Sequence, residues 1–471
     1  MEIDYDLRPA DLAPGLQRMW ELSAGKILSI EETCTPDRAA PVFTVEGRYT
    51  ARGWTEWTQG FQFGSAILQF DAIGDPRFLA IGRENTIRRM ASHVTHVGVH
   101  DHGFNNVSTY GNLRRLMLGG RIAHDRNELE FYELALRASG AVQANRWSTT
   151  SDGDGYIYSF NGPHSLFCDT IRSLRALALA HQLGHALMAE NDQRIDLLDR
   201  LVQHARTTAR YSVYYGEGRD IYDVCGRVAH ESIFNRNDGR FRCPGTQQGY
   251  SPFSTWTRGL AWIMIGYPEQ LEYIASRPDA ELAALGGGEA IESMMLRAAT
   301  AACDFYIGET PTDGIPYWDT GAPGLARLGD YRNRPAEPQN GFEPVDSSAA
   351  AIAAQGLIRL GCYLAKKQLG TVPIFSQRKW DGPLPAAPER YFQAGLTVLR
   401  TLLAEPYLSS DPRHQGLLLH TIYHRPRGWD HIPPGAAIPY GESCMWGDYH
   451  LREAALTVER LIRNEPYYAF F

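Results

Sequence analysis

Several common function classes are missing from this chain. Its 471 residues include seven cysteines (Cys34, Cys168, Cys225, Cys243, Cys303, Cys362, Cys444), an odd number, widely spread and without one Cys-x-x-Cys pair. Neither a disulfide framework nor a zinc knuckle is expected from that spacing. No apolar run approaches the roughly 18 residues that a membrane span needs. The opening, MEIDYDLRPADLAPGL, has no basic n-region and no apolar h-region. Export and membrane insertion are therefore not expected, and a reduced, cytoplasmic setting is. Lysine and arginine form no stripe and the net charge is −8, which argues against nucleic acid as a partner, because phosphate binding needs clustered positive charge. There is no Gly-x-Ser-x-Gly elbow. His181 and His185, in HQLGH, lack the glutamate of His-Glu-x-x-His, so a structural role is the simpler reading and no metal is expected. Gly286, Gly287 and Gly288 lack a following Lys-Ser/Thr and read as a turn, not a phosphate cradle.

What the chain does have is apolar mass and rings. Hydrophobic residues make up 44% and aromatic residues 11%, with 24 tyrosines and 10 tryptophans. Apolar residues recur at helical spacing along the whole length, predicting helices over 128–142, 165–188, 193–215, 288–307, 347–367, 387–403 and 448–464. Between them run loops rich in glycine, tryptophan, tyrosine and polar residues. No stretch alternates cleanly enough for a strand, and no βα rhythm appears. The proline-rich segment 372–388 reads as a surface loop. One all-α domain over 1–471 is the expectation.

Three regions carry candidate chemistry. Residues 245–262, GTQQGYSPFSTWTRGLAW, pass from loop into helix, with Ser254 or Thr255 as the expected cap. Trp256, Gly259 and either Leu260 or Ile263 then share one face. Rings, amides and a guanidinium together suit a hydroxylated, anionic, ringed ligand; an ordinary core helix with a polar rim fits as well. Asp101, in HDHGF, is either a binding carboxylate or a loop cap. Asp169, in SLFCDTIRSL, lies among Phe167, Cys168 and Ile171, so desolvation is expected to raise its pKa and suit it to proton donation. It could equally complement a helix N-terminus. The late run 417–451 crowds His420, His424, Trp429, Tyr440, Glu442, Trp446 and Asp448 together.

These segments resemble the unsaturated glucuronyl hydrolases, glycoside hydrolase family 88. His100 to Phe104 match the family's H-D-x-G-F, Asp169 to Leu174 its D-x-M-M-N-L, and Gln247 to Trp262 its H-Q-G-Y…S-T-W-x-R-G-x-A-W. Pro316 to Asp319, Asp346 to Ala354 and Trp446 to Tyr449 match P-Y-W-D, D-S-S-A-A-A-I-A-A and W-G-D-Y, in the family's order. The resemblance implies a single (α/α)₆ barrel with long active-site loops at one end. It also implies hydrolytic removal of a 4,5-unsaturated uronic acid from lyase-generated oligosaccharides, through hydration of the double bond. Asp169 would be the proton donor and Asp101 the second catalytic carboxylate. Trp57, His100, His230, Gln248, Trp256, Arg258, Trp262, His420 and Trp446 would contact an acidic oligosaccharide. No metal or organic cofactor is implied, and a homo-oligomer is compatible with the sequence. Departures are Arg172 and Ser173 within the Asp169 helix, Gln247, Leu260 and Phe160. They leave open a related hydrolase acting on saturated β-glucuronides or rhamnogalacturonan fragments, or a saccharide-binding protein without turnover.

Overall fold

A computed structural model describes residues 1–34, 39–53, 56–369 and 387–471. Most of the proline-rich segment 372–388 lies outside the described residues. Among them, twelve helical segments follow one another: α1 (Ala13–Thr33), α2 (Gln59–Ile73), α3 (Pro76–Arg89), then α4, in which His102–Asn106 passes through a π turn, Val107–Gly111, into Asn112–Leu118. Next come α5 (Arg126–Asn145), α6 (Thr170–Ser173 with Arg175–Gln182), α7 (Leu197–Tyr211) and α8 (Thr257–Ile274). The last four are α9 (Gly288–Glu309), α10 (Ser347–Leu369), α11 (Ala387–Leu402) and α12 (Met445–Ile462).

The even-numbered helices are buried on nearly every side, whereas α1, α3, α5, α7 and α9 carry an apolar stripe and a wet face; α11 is itself buried over 391–399. A helix apolar all round belongs inside; an amphipathic one covers it. The inner helices pack in sequence order, and α12 closes the ring on α2. This is the expected (α/α)₆ barrel. Close approach between inner helices rests on small residues: a Cβ on Gly356 of α10 would lie 2.5 Å from the Met264 carbonyl oxygen of α8. Residues Ser347–Gln368 are long and apolar enough to cross a membrane by length and composition alone, but 89% of that window is buried within the barrel.

Below the loops the barrel axis holds charge. Arg172 pairs with Glu269 at 3.0 Å and Glu453 at 2.5 Å, joining α6, α8 and α12, with all three side chains fully buried. Pairing is what makes such burial tolerable, because each ion alone would carry a large desolvation penalty.

Three local expectations fail. The helix expected over 165–188 is broken: Ser165–Phe167 form a strand paired with Glu231–Phe234, Asp169 precedes the first helical turn, and α6 stops at Gln182 before left-handed Gly184. His181 and His185 therefore do not share a helix face, and His181 Nδ1 instead bonds the Tyr273 hydroxyl at 2.7 Å. Neither Ser254 nor Thr255 caps α8, which starts at Thr257. The Thr255 hydroxyl accepts from the Val228 N–H at 3.2 Å. Short strand pairs also occur in the loops, among them Pro41–Val45 with Arg48–Ala51, where backbone pairing outweighs the lack of alternation.

Candidate active site

Every loop that carries a nominated side chain enters an inner helix. Trp57 precedes α2, His100 and Asp101 precede α4, Asp169 precedes α6, and Trp256 precedes α8. The N-terminal ends of the inner helices therefore gather at one end of the barrel, where their partial positive charges favour an anion. A cavity of about 450 Å³ opens there. Trp57, His100, Asp101, Asp169, Gln248, Trp256, Arg258 and Trp262 all line it. Two acids 68 positions apart in the chain thus meet in one hollow, each 8% exposed.

His100 links them. Its Nε2 lies 3.7 Å from Oδ1 of Asp101 and 3.7 Å from Oδ1 of Asp169. Burial opposes charge on this imidazole, yet the two carboxylates outweigh it and hold its pKa above the ordinary 6.5. Burial pushes the Asp101 carboxyl up, against His100 and with the help of Asp169, so it stands above the usual carboxylate value. For Asp169 burial also pushes upward, but His100 and then His230 overcome it, and the group stands below its ordinary value. The expectation of a raised Asp169 is thus reversed in the free site, because the sequence showed its apolar neighbours and not the two histidines. Among the described residues, Asp169 Oδ1, both ring nitrogens of His100 and Nε2 of His230 are buried without a hydrogen-bond partner. Buried polar atoms are rarely left so, and such a group at a cavity points to a ligand.

Rings build the walls. Trp57 stacks on Trp446 at 4.9 Å between ring centres and meets Phe104 edge-on, while Phe104 also packs on Trp262. His230 sits behind the lining, its ring 4.8 Å from Trp256 and 4.4 Å from Phe167. Its Nδ1 accepts from the Gln247 N–H at 3.0 Å, and burial lowers its pKa to about 4. A neutral ring accepting at Nδ1 must carry its proton on Nε2, which leaves that N–H as a donor.

Arg258 lines the cavity and is also held from behind. It lies between Trp256 and Trp446, 4.6 and 4.9 Å from their ring centres. Its Nη1 donates to Asp346 at 2.9 Å and to the Ile422 carbonyl; its Nη2 donates to the Tyr423 carbonyl at 2.7 Å and to Gln248 Oε1 at 3.1 Å. The carboxylate it grips is Asp346, which also caps α10 by accepting from the Ser348 N–H. Arg258 thus sets the Gln248 amide and the 422–423 backbone.

Besides His230, two more nominated residues lie outside the lining. Trp446 is fully buried, with Nε1 donating to Ser348 Oγ at 3.0 Å, and backs Trp57. His420 is turned away: its Nδ1 accepts from the Gly441 N–H at 3.1 Å, its carbonyl accepts from the Ser347 N–H, and its ring meets Tyr407 and Tyr440. The sequence reading passed over Arg52, Glu56, Tyr423 and Arg427, which line the cavity beside Trp429. Arg52 and Arg427 both stack on Trp429, 3.9 and 5.2 Å from its ring centre. A signal was there: Arg-Gly-Trp occurs twice, at 52–54 and 427–429, in two loops already rich in aromatics.

No family model matches the chain. Its likeness to curated proteins is nonetheless nearly end to end. It is 25% identical over 461 residues to an unsaturated glucuronyl hydrolase of Bacillus sp. strain GL1, covering 94% of this chain and 97% of the relative. The resemblance read from the motifs holds. A second unsaturated glucuronyl hydrolase, from Formosa agariphila, is 24% identical over 410 residues, covering 86% of this chain and 81% of the relative. Among solved structures, an unsaturated glucuronyl hydrolase described as specific for heparin superposes with a TM-score of 0.69 at 18% identity, covering 96% of this chain and 98% of that one. Likeness to the unsaturated glucuronyl hydrolases thus extends to the fold.

Proposed function

We propose that this protein is a glycoside hydrolase that removes a 4,5-unsaturated uronic acid from the non-reducing end of oligosaccharides released by polysaccharide lyases. The observation that carries this is the Asp101–His100–Asp169 group facing an aromatic-walled cavity. Displacement at a saturated sugar needs carboxyl groups flanking the glycosidic bond. Here both acids gather on one imidazole, which suits proton delivery to a double bond.

In the free site the raised His100 pKa and the lowered Asp169 pKa both favour the proton on His100. A bound uronate adds negative charge and excludes water, and both raise a carboxyl pKa. Asp169 then takes the proton from His100 and donates it to carbon-4. Water adds to the cation left at carbon-5 and returns a proton to Asp169. The resulting hemiketal opens: its carbon–ring-oxygen bond breaks to leave a ketone at carbon-5, and the anomeric carbon releases the shortened sugar. Asp101, held toward its neutral form, hydrogen-bonds sugar hydroxyls. Gln248 does the same, on a loop that His230 Nδ1 holds from behind, and Trp57, Trp256 and Trp262 cover the ring's apolar face. With Arg258 engaged by Asp346, the guanidinium groups of Arg52 and Arg427 meet the substrate's carboxylate or a sulfate on the next sugar. A reduced, cytoplasmic setting belongs to the same proposal, supported by the scatter of the cysteines.

The test is a panel of lyase-generated unsaturated oligosaccharides, followed by loss of the enol-acid ultraviolet absorbance, with a saturated nitrophenyl glucuronide as contrast. Absorbance loss with no nitrophenol release is expected. Turnover of the saturated substrate alone would overturn the reading, and binding without turnover would make the protein a saccharide binder.

A further inference from the structure

One hydroxyl ties the two acid-bearing segments together. Ser173 lies one helical turn after Asp169 and is fully buried. Its Oγ donates to the His100 carbonyl at 2.6 Å and accepts from the Gly103 N–H at 3.0 Å, so it spans the backbone on either side of Asp101. Gln143 of α5 holds it there: Nε2 donates to Ser173 Oγ at 2.8 Å and to the His100 carbonyl at 2.8 Å. The backbones touch as well. A Cβ on Gly103 would stand 2.2 Å from the Ser173 carbonyl oxygen, and Arg175 Nη2 donates to the Gly103 carbonyl at 2.9 Å. Neither Ser173 nor Gln143 reaches the cavity.

We infer that Ser173, oriented by Gln143, is a positioning residue that sets the distance of His100 and Asp101 from Asp169. The inference rests on the catalytic reading above but is separable from it. A serine side chain is short, so it can bridge the segments only while their backbones are in contact, and Gly103 permits that contact. In Ser173→Ala the Gly103 N–H and the Gln143 amide lose their shared partner, and the 100–103 turn is free to move from α6. Proton transfer between His100 and Asp169 depends on that spacing. A shift on the order of 1 Å costs about 10²-fold in rate.

The test compares wild type, Ser173→Ala and Gln143→Leu, and it has two readouts. In steady-state kinetics on an unsaturated disaccharide, kcat is expected to fall by roughly 10- to 100-fold with KM nearly unchanged. In NMR titration of the His100 ring, the pKa is expected to drop in both variants, because the carboxylates that hold it up move away. Ser173→Thr, which keeps the hydroxyl, is expected to recover part of both. The titration needs no substrate, so it stands even if the proposed activity fails. Should Ser173→Ala not fold, Gln143→Leu carries the same two readouts. Unchanged kcat with an unchanged His100 titration overturns the inference, and so does a loss of kcat without any shift of the titration.

Discussion

Replacing Asp169 by asparagine separates catalysis from folding at this site. The residue is 8% exposed, and its Oδ1 has no hydrogen-bond partner among the described residues. Asparagine keeps the shape but holds no transferable proton and no negative charge. General acid–base transfer contributes about 10²–10⁴-fold, so kcat should fall by that factor. At ~1.4 kcal/mol per tenfold, the loss of transition-state stabilisation is about 3–5.5 kcal/mol. Stability should fall only modestly, because the lowered Asp169 pKa means that the folded site favours the carboxylate, through His100 at 3.7 Å, and asparagine gives up that charge while keeping the packing. His100 would also lose one of the two charges that raise its pKa. Its own titration should therefore shift downward in the variant. The assays are absorbance loss of the enol-acid substrate, urea unfolding, and NMR titration of His100. Activity within tenfold of wild type, or a marked loss of stability that accounts for the lost activity, refutes the assignment.

The pH dependence of kcat/KM follows from the same three groups. Activity needs one proton on the His100–Asp169 pair, so it should fall as pH rises through the His100 pKa, which lies above 6.5; an alkaline limb well below that value contradicts the arrangement. Arg52→Met and Arg427→Met should raise KM by roughly tenfold each, about 1.4 kcal/mol of lost charge-assisted binding, on acidic oligosaccharides. Comparing sulfated with unsulfated disaccharides then shows which anion they hold. Arg172→Met leaves Glu269 and Glu453 buried with less compensation and should cost about 3–5 kcal/mol in denaturant unfolding. His204, whose Nδ1 accepts from the Ile157 N–H, has its pKa lowered by burial to about 3. The unfolded chain binds that proton first, so stability falls as pH drops from 6.5 towards 3, by an amount on the order of 5 kcal/mol in all. The His204→Asn variant should lose stability less steeply over that range.

Much of the fold was legible because it is local. Helices such as α5, α9 and α10 follow from apolar spacing and small-residue runs, and repeated helix–loop units without strands leave few architectures. The same spacing misled at 165–188, where the β pairing of Ser165–Phe167 with Glu231–Phe234 is a contact across more than 60 residues and leaves no periodic trace. Asp101 and Asp169 were legible as unusual acids in unusual surroundings. That His100 lies between them, that Arg258 pairs with Asp346, and that His420 faces away from the cavity were not. Residue types and spacings along the chain determined the helical class, the order of the barrel and the cast of chemical groups. Only closure of the ring decided which groups meet and which carry charge, because pKa, pairing and access depend on distances between segments far apart in sequence.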